Sequence, residues 1–462
     1  MLYKEIENVT KDLVSFHVPG HKSGKLLDKY KNFKDKIINI DTTEIEGTDN
    51  LHDCEGIIKE ASNRASKVFK SDNTFLLVNG STCGIYAMIM TITNPGDKLI
   101  VARDCHQSVI NACILGDVEP IYVCPKIDDY LGISKGVSYE DIKKAISLNR
   151  DAKGVILTSP NYFGITCDIQ KISDLLKESD KYLLVDEAHG AHLGLSNLLP
   201  RPALSQGADM VVQSTHKTLP SFTQSSMLHT RGNKVNIEKL KSILRMVQSS
   251  SPSYILMSSL DMATKIYEEE GKYLMSNLIN YILDLKDFAK KLDNIKIFES
   301  QDITKVYIIT KDLKRSGYEI EQMLRDRYNI QVELSNLCGV LLVCSIGNDK
   351  EDFERLKKAL SEIDKFIGKE SIIMPSYKNI NPVKVLNPRK AFYLPKTKIK
   401  IRQSIGKISG EYIIPYPPGI PVISPGEKIS EDIINYILST KKLGMKITGI
   451  KDSNLDYIEI ID

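Results

Sequence analysis

The stretch YLLVDEAHGAHLGL at residues 182–195, with DMVVQSTHKTLP at 209–220, decides the fold of this 462-residue chain. The run Tyr182-Leu183-Leu184-Val185 is apolar without alternation, so it reads as a strand covered on both faces, as in a parallel sheet. It delivers Asp186 and Glu187 at its C-terminal end, the edge where open α/β sheets place ligands. A second short strand, 209–213, runs into Ser214-Thr215-His216-Lys217. A carboxylate and an amine thus stand at strand ends that can converge. Taken alone, Asp186 reads equally well as the cap of the next turn, and Lys217 as a solvated surface lysine.

Upstream, the same pattern repeats. A helix is expected at 55–70 and strands at 74–78, 98–102, 120–123 and 154–158, with helices at 138–148 and 170–179. Repeated β-α units with short connections imply an α/β fold with a doubly wound, mostly parallel sheet. The strand at 74–78 ends in Asn79-Gly80-Ser81-Thr82-Cys83-Gly84, a turn of hydroxyls and backbone N–H groups that suits an anion at the start of the next helix. Ordinary Ser/Thr capping fits that turn locally as well. No GxxxxGK[ST] or GxGxxG is present, so neither a P-loop nor a dinucleotide fingerprint is supported. The turn after 98–102 carries His106. Ser81, Thr82, His106, Asp186, His189 and Lys217 then all fall on one rim of the sheet. Pyridoxal phosphate (PLP) needs a lysine for its Schiff base and an acid for its ring nitrogen, and this rim offers both.

Around this centre the chain divides into an N-terminal segment 1–54, expected to be irregular and to pack at the site and a subunit interface. A major, cofactor-binding domain follows at 55–270, then a smaller α/β domain at 271–370 and a proline-rich C-terminal domain at 371–462. Apolar residues make up 42% and charged residues 26%, enough for ordinary cores. The formal charge of +3 is dispersed, which argues against a nucleic-acid surface. Eight cysteines without CxxC spacing read as reduced thiols rather than as a disulfide frame or a zinc site, and no metal is expected. The N-terminus has acids and no apolar signal core, so a cytoplasmic protein without membrane spans is expected.

With these residues in place, the chain resembles the fold-type-I PLP-dependent decarboxylases of the ornithine/lysine/arginine group, in their shorter form. The resemblance rests on FHVPGHKSG at 16–24, TEIEGTDNLHDCEG at 43–56, NGSTCG at 79–84, RDCHQS at 103–108, VDEAHGAHLG at 185–194, QSTHKTLPSFTQSSMLH at 213–229, SSPSYILMSSLD at 250–261 and YPPGIPVISPGE at 416–427. It implies Lys217 as the Schiff-base lysine, Asp186 on the ring nitrogen and His106 stacked on the ring. It further implies Ser81, Thr82, Ser214 and His216 around the phosphate, and His189 near the substrate carboxylate. Lys217 or His216 would return a proton to Cα. The SSPSY segment implies a phosphate contact in a partner subunit, hence a homodimer or higher oligomer with shared sites.

The resemblance implies loss of CO2 from a basic amino acid, with arginine giving agmatine for polyamine synthesis favoured over lysine or ornithine. A cationic side chain calls for an acid; Glu46 and Asp49, with Glu44 and Asp53 nearby, are the candidates, and Arg389 is a candidate to meet a carboxylate. Another PLP enzyme of the same fold, such as an aminotransferase or a carbon–sulfur lyase, and a catalytically silent scaffold remain as alternatives.

Overall fold

Alternating apolar strands and amphipathic helices assemble a seven-stranded sheet at the centre of the computed structural model, which describes residues 1–377, 380–416 and 419–461, without side-chain detail at 28, 29, 31 and 416. Two prolines of the YPPGIP motif, Pro417 and Pro418, lie outside the described residues. The N-terminal segment contains helix α1 (Leu2–Thr10), strand β1 (Val14–Phe16) and helix α2 (Lys31–Asp35). The large unit then runs α3 (Ile57–Phe69), β2 (Asn73–Leu77), α4 (Gly80–Ile92), β3 (Lys98–Ala102), α5 (Gln107–Gly116), β4 (Glu119–Val123), α6 (Tyr139–Leu148), β5 (Gly154–Thr158), α7 (Ile169–Glu178) and β6 (Tyr182–Asp186). It closes with β7 (Met210–Gln213), α8 (Thr215–Thr218), β8 (Ser226–Thr230), α9 (Ile237–Val247) and α10 (Tyr254–Glu269).

The strand order is β2-β8-β7-β6-β5-β3-β4. Only β8 opposes its neighbours; β3 to β7 pair in parallel, with Thr158, Asp186 and Val212 in one register across β5, β6 and β7. The chain winds outward from β3 to β4 and then back through β5, β6 and β7, so the order reverses between β3 and β5. A crevice opens there at the C-terminal strand ends. Val109 and Ile110 of α5 and Met88 of α4 bury one face of the sheet, while Ile142 of α6 and Ile172 of α7 bury the other. Helix α4 lies so close to the sheet that a Cβ on Gly84 would fall 2.7 Å from methyl groups of both Leu77 and Val212.

Helix α11 (Gly271–Ala289) leads into the smaller unit of β9 (Lys296–Ile297), β10 (Lys305–Ile309), α12 (Gly317–Tyr328), β11 (Ile330–Val332), β12 (Leu334–Asn336), β13 (Gly339–Val343) and α13 (Lys350–Ile363). Its four-stranded antiparallel sheet, β12-β13-β10-β9, packs Val306, Ile308 and Leu342 against Leu278, Leu324 and Phe353 of the helices.

One stretch differs from the sequence expectation. The N-terminal segment is not irregular throughout: α1 forms, and β1 pairs in parallel with β11, Val14 opposite Ile330. A strand of three residues shows no periodicity by itself, and its partner lies over 300 positions away. The proline-rich C-terminal part carries its own elements. It folds as β14 (Val383–Lys384), α14 (Pro388–Tyr393), β15 (Lys396–Lys400), β16 (Ile408–Ser409), β17 (Ile414–Tyr416), β18 (Glu427–Lys428), α15 (Glu431–Lys442), β19 (Lys446–Thr448) and β20 (Tyr457–Ile461). Five of these strands form the sheet β14-β18-β16-β20-β15 around a core that includes Ile433, Ile437, Ile458 and Ile460. Among the described residues, no helix is long and apolar enough to cross a membrane.

Candidate active site

Strand β6 carries Asp186 to the crevice, where its side chain is buried and accepts the Ala188 N–H at 3.1 Å. Burial raises its pKa, against the pull of the positive charges of His106 and Lys217. From the neighbouring strand β7 the chain turns into α8, which places Lys217 Nζ 3.0 Å from His189 Nε2. Burial lowers the Lys217 pKa, opposed by the carboxylates of Asp186 and Glu333. His189 is buried and its pKa lies well below the ordinary value, because burial and then the Lys217 and Lys305 charges disfavour the imidazolium. The neutral ring therefore accepts a hydrogen bond from the amine. Tyr162, from the SPNYFG turn, packs on His189 with ring centroids 4.5 Å apart and faces Lys217 Nζ at 5.7 Å.

The hydroxyl turn resolves against simple capping. The N-cap of α4, Asn79, makes no side-chain cap bond, and Gly80 takes φ +74°. Ser81 Oγ instead accepts from Ser214 Oγ at 2.8 Å, joining the turns after β2 and β7, and Thr82 stands in the same first helical turn. The N-cap side chain thus leaves the first N–H groups of α4 uncapped, and among the described residues Thr215 Oγ1 and His189 Nδ1 are buried without hydrogen-bond partners. An anionic cofactor with further polar groups fits that donor set.

His106 caps α5, accepting the Ser108 N–H at 3.3 Å through Nδ1, and its ring stands exposed on the rim. His216 Nδ1 donates to the Ser225 carbonyl at 2.9 Å, while its own carbonyl accepts the Gly20 N–H at 2.7 Å. The FHVPGHKSG loop therefore lies directly on α8. Lys22 from that loop is buried, held by the carbonyls of His17 at 2.6 Å and Val343 at 2.9 Å, and burial lowers its pKa to about 8.

Two groups at the site come from the smaller unit and were not read from the sequence. Glu333 follows β11, accepts the Val18 N–H at 2.9 Å, lies 4.0 Å from His17 Nε2, and sets a negative charge facing His216 and Lys217. Its sequence signal was a charge between the apolar Val332 and Leu334. Lys305 is buried against Asp302 at 3.0 Å and also reaches the His189 carbonyl at 3.3 Å. Asp302 in turn holds His192 of the DEAHGAH motif at 3.2 Å.

The acids proposed for a substrate side chain sit apart from this cluster within one chain. Asp49 accepts backbone N–H groups of Asn50, Glu55, Gly56, Ile58 and Lys59, which occupies its carboxylate at the start of α3. Glu46 is exposed. Among the described residues, no hydrogen bond or ion pair joins either to Lys217. In the SSPSY segment, Ser253 caps α10 and the Tyr254 hydroxyl donates to the Asp49 carbonyl at 2.7 Å. Among the described residues Arg389 meets no carboxylate; it donates to the carbonyls of Ile114 and Leu115.

The chain matches the family "Orn/Lys/Arg decarboxylase, major domain" over residues 2–313 and "Orn/Lys/Arg decarboxylase, C-terminal domain" over residues 374–453. It is 36% identical over 474 residues to the arginine decarboxylase of Bacillus subtilis, covering 98% of this chain and 96% of that one. It is 22% identical to the inducible lysine decarboxylase of Escherichia coli K12, covering 95% and 76%. Among solved structures, the Francisella novicida lysine decarboxylase superposes with a TM-score of 0.80 at 25% identity, over all of this chain and 81% of that one. A serine palmitoyltransferase from Sphingomonas wittichii shares the fold alone, at TM-score 0.58 and 15% identity, over 76% of this chain and 86% of that one. A fold-type-I α/β architecture and matches spanning both units lead to one assignment: the chain belongs to the Orn/Lys/Arg decarboxylase family.

Proposed function

We propose that this protein is a PLP-dependent arginine decarboxylase, converting L-arginine to agmatine and CO2. The observation that carries the proposal is the Lys217 amine 3.0 Å from a neutral His189, on the helix that follows the strand paired with that of buried Asp186. The preference for arginine is supported by relatives of that name at 36% identity, against lysine decarboxylases at 22%. When bound, PLP supplies an electron sink conjugated to the substrate Cα.

Lys217 would hold the cofactor covalently. Asp186, kept from water, would hold a proton on the ring nitrogen. Ser81, Thr82, Ser214, His216 and the free N–H groups of α4 would bind the phosphate, and His106 would stack on the ring. His189 would orient the departing carboxylate in a pocket walled by Tyr162, where reduced hydration favours its loss. Lys217 or His216 would then deliver the proton to Cα, and Glu333 would favour the protonated form of either. Glu46 offers an exposed carboxylate for the guanidinium, on a loop that Asp49 braces.

The division at 54, 270 and 370 is proposed to be functional, with SSPSY serving the site of a second subunit in a cytoplasmic homodimer. The test is a titration of the cofactor-free protein with PLP. The visible band of lysine-bound cofactor should form in the wild type and be absent in Lys217→Ala, together with agmatine production. Agmatine formation by Lys217→Ala at the wild-type rate would refute the assignment.

A further inference from the structure

Helix α5 begins at the His106 cap, and both of its ends are gripped from the C-terminal domain. Before its start, Arg103 makes a bidentate pair with Glu427, Nη1 to Oε1 at 2.5 Å and Nη2 to Oε2 at 2.7 Å, across 324 positions of sequence. Both side chains are buried, at 3% and 1% exposure, and the guanidinium lies 5.0 Å from the centroid of the Tyr122 ring. Glu427 is itself fixed by the Ser424 N–H at 2.7 Å. At the other end, Arg389 of α14 donates Nη1 to the carbonyls of Ile114 at 2.8 Å and Leu115 at 3.0 Å, in the last turn of α5. A third link holds the strand after the helix: Lys384 Nζ bonds Glu119 Oε1 at 2.8 Å and the Pro120 carbonyl at 2.9 Å.

Apolar packing alone would dock one unit on another without fixing this turn. These contacts are directional. A bidentate arginine–carboxylate pair sets both distance and orientation, and a cation on the final carbonyls of a helix complements its dipole. The Arg103 pair pins the turn that ends three residues later at His106, and Arg389 stops α5 from sliding along its axis.

We infer that the C-terminal domain acts as a clamp that positions His106 over the cofactor, with Arg103, Glu427 and Arg389 as positioning residues. The inference rests on the PLP reading of the site proposed above. It gives the proline-rich unit a role at the site beyond its own packing. Through the clamp, its folding becomes a condition for a well-held cofactor rather than for the sheet itself.

The test measures cofactor release from reconstituted holoenzyme, as decay of the visible band with free PLP trapped, together with the induced circular dichroism of that band. Arg389→Gln is expected to speed release by about 5-fold, the size of one partly buried helix-terminus contact. In a His106→Ala background the same substitution should add nothing. Because Glu427→Gln strands a buried guanidinium and can unfold the unit, the joint replacement Arg103→Met with Glu427→Leu keeps the packing; it should speed release and alter the dichroism in the same way. Unchanged release in Arg389→Gln or in the joint variant, or an equal effect of Arg389→Gln with and without His106, overturns the clamp. A wild-type protein that takes up no PLP refutes the cofactor reading instead, so the two failures are distinguishable.

Discussion

Replacing Glu187 with glutamine removes an acid that the fold holds protonated near neutral pH. Glu187 is 1% exposed; Oε1 accepts the Ala203 N–H at 2.8 Å and Oε2 accepts Gln213 Nε2 at 2.7 Å. The chain of contacts continues from Gln213 Oε1 to His229 Nε2 at 3.2 Å, from His229 Nδ1 to Thr74 Oγ1 at 2.8 Å, and on to Ser71 at 2.8 Å. Burial first, and the Asp186 charge last, push the Glu187 pKa from 4.5 up to about 8. A raised carboxyl pKa works against folding as pH rises. Below the unfolded value both states are protonated; above it the unfolded chain gains stability by ionising and the folded chain does not, until the folded pKa is reached.

Between about pH 5.5 and about pH 7.5 the wild type should therefore lose roughly 2.7 kcal/mol through this group, at about 1.4 kcal/mol per pH unit. Glutamine does not titrate. It keeps an acceptor for Ala203, and a rotated Gln213 amide can re-pair with it while donating to a neutral His229. The steric cost of the exchange is the same at both pH values, so it cancels in the comparison. Urea unfolding of both proteins at the two pH values gives the measurement. Glu187→Gln should gain about 2 to 3 kcal/mol on the wild type between the lower and the higher pH. A gap independent of pH, or one that moves the other way, would show that Glu187 is ionised in the fold.

Further outcomes follow from single contacts. A Cβ at Gly20 would fall 2.7 Å from the Leu219 carbonyl oxygen, so Gly20→Ala should destabilise by ~1–3 kcal/mol and loosen α8; melting and cofactor retention read this out. His229 is buried with its pKa lowered to about 3, so stability should fall as pH drops from about 6.5 towards that value, by up to ~1.4 kcal/mol per unit, and His229→Gln should flatten the acid limb of the unfolding profile. Glu333→Gln removes a negative charge facing Lys217, so the pH midpoint of the visible band should fall by roughly 0.5–1 unit, and an unmoved midpoint would place Glu333 outside the site's field.

The sheet was legible because buried parallel strands write continuous apolar runs: the strands at 98–102 and 154–158 form as read, and the neighbouring ones shift by a residue. Their polar ends could be placed on one rim from topology alone, which brought Asp186, Lys217, His189, Ser81 and His106 together. Glu333 and Lys305 escaped because they reach the site from a separate sheet, across a fold no local pattern encodes. Asp49 looked like a free acid, yet its five N–H partners lie within ten positions, a helix-start arrangement that the glycine before α3 does not announce. The C-terminal strands are too short, several of two or three residues, to show alternation among prolines. Arg389 therefore reads as a residue to meet a carboxylate or pair on the surface, and Glu427 only as the end of the YPPGIPVISPGE motif, rather than as the grips on α5.

The central claim is tested most directly by release of CO2 from arginine, lysine and ornithine, each labelled at the carboxyl group, with PLP supplied and the amine products separated. The account predicts stoichiometric agmatine and CO2 from arginine, with kcat/KM at least about tenfold above those for lysine and ornithine, a gap of about 1.4 kcal/mol in transition-state binding. Keto acid in place of amine, or no CO2 from any of the three, would contradict it.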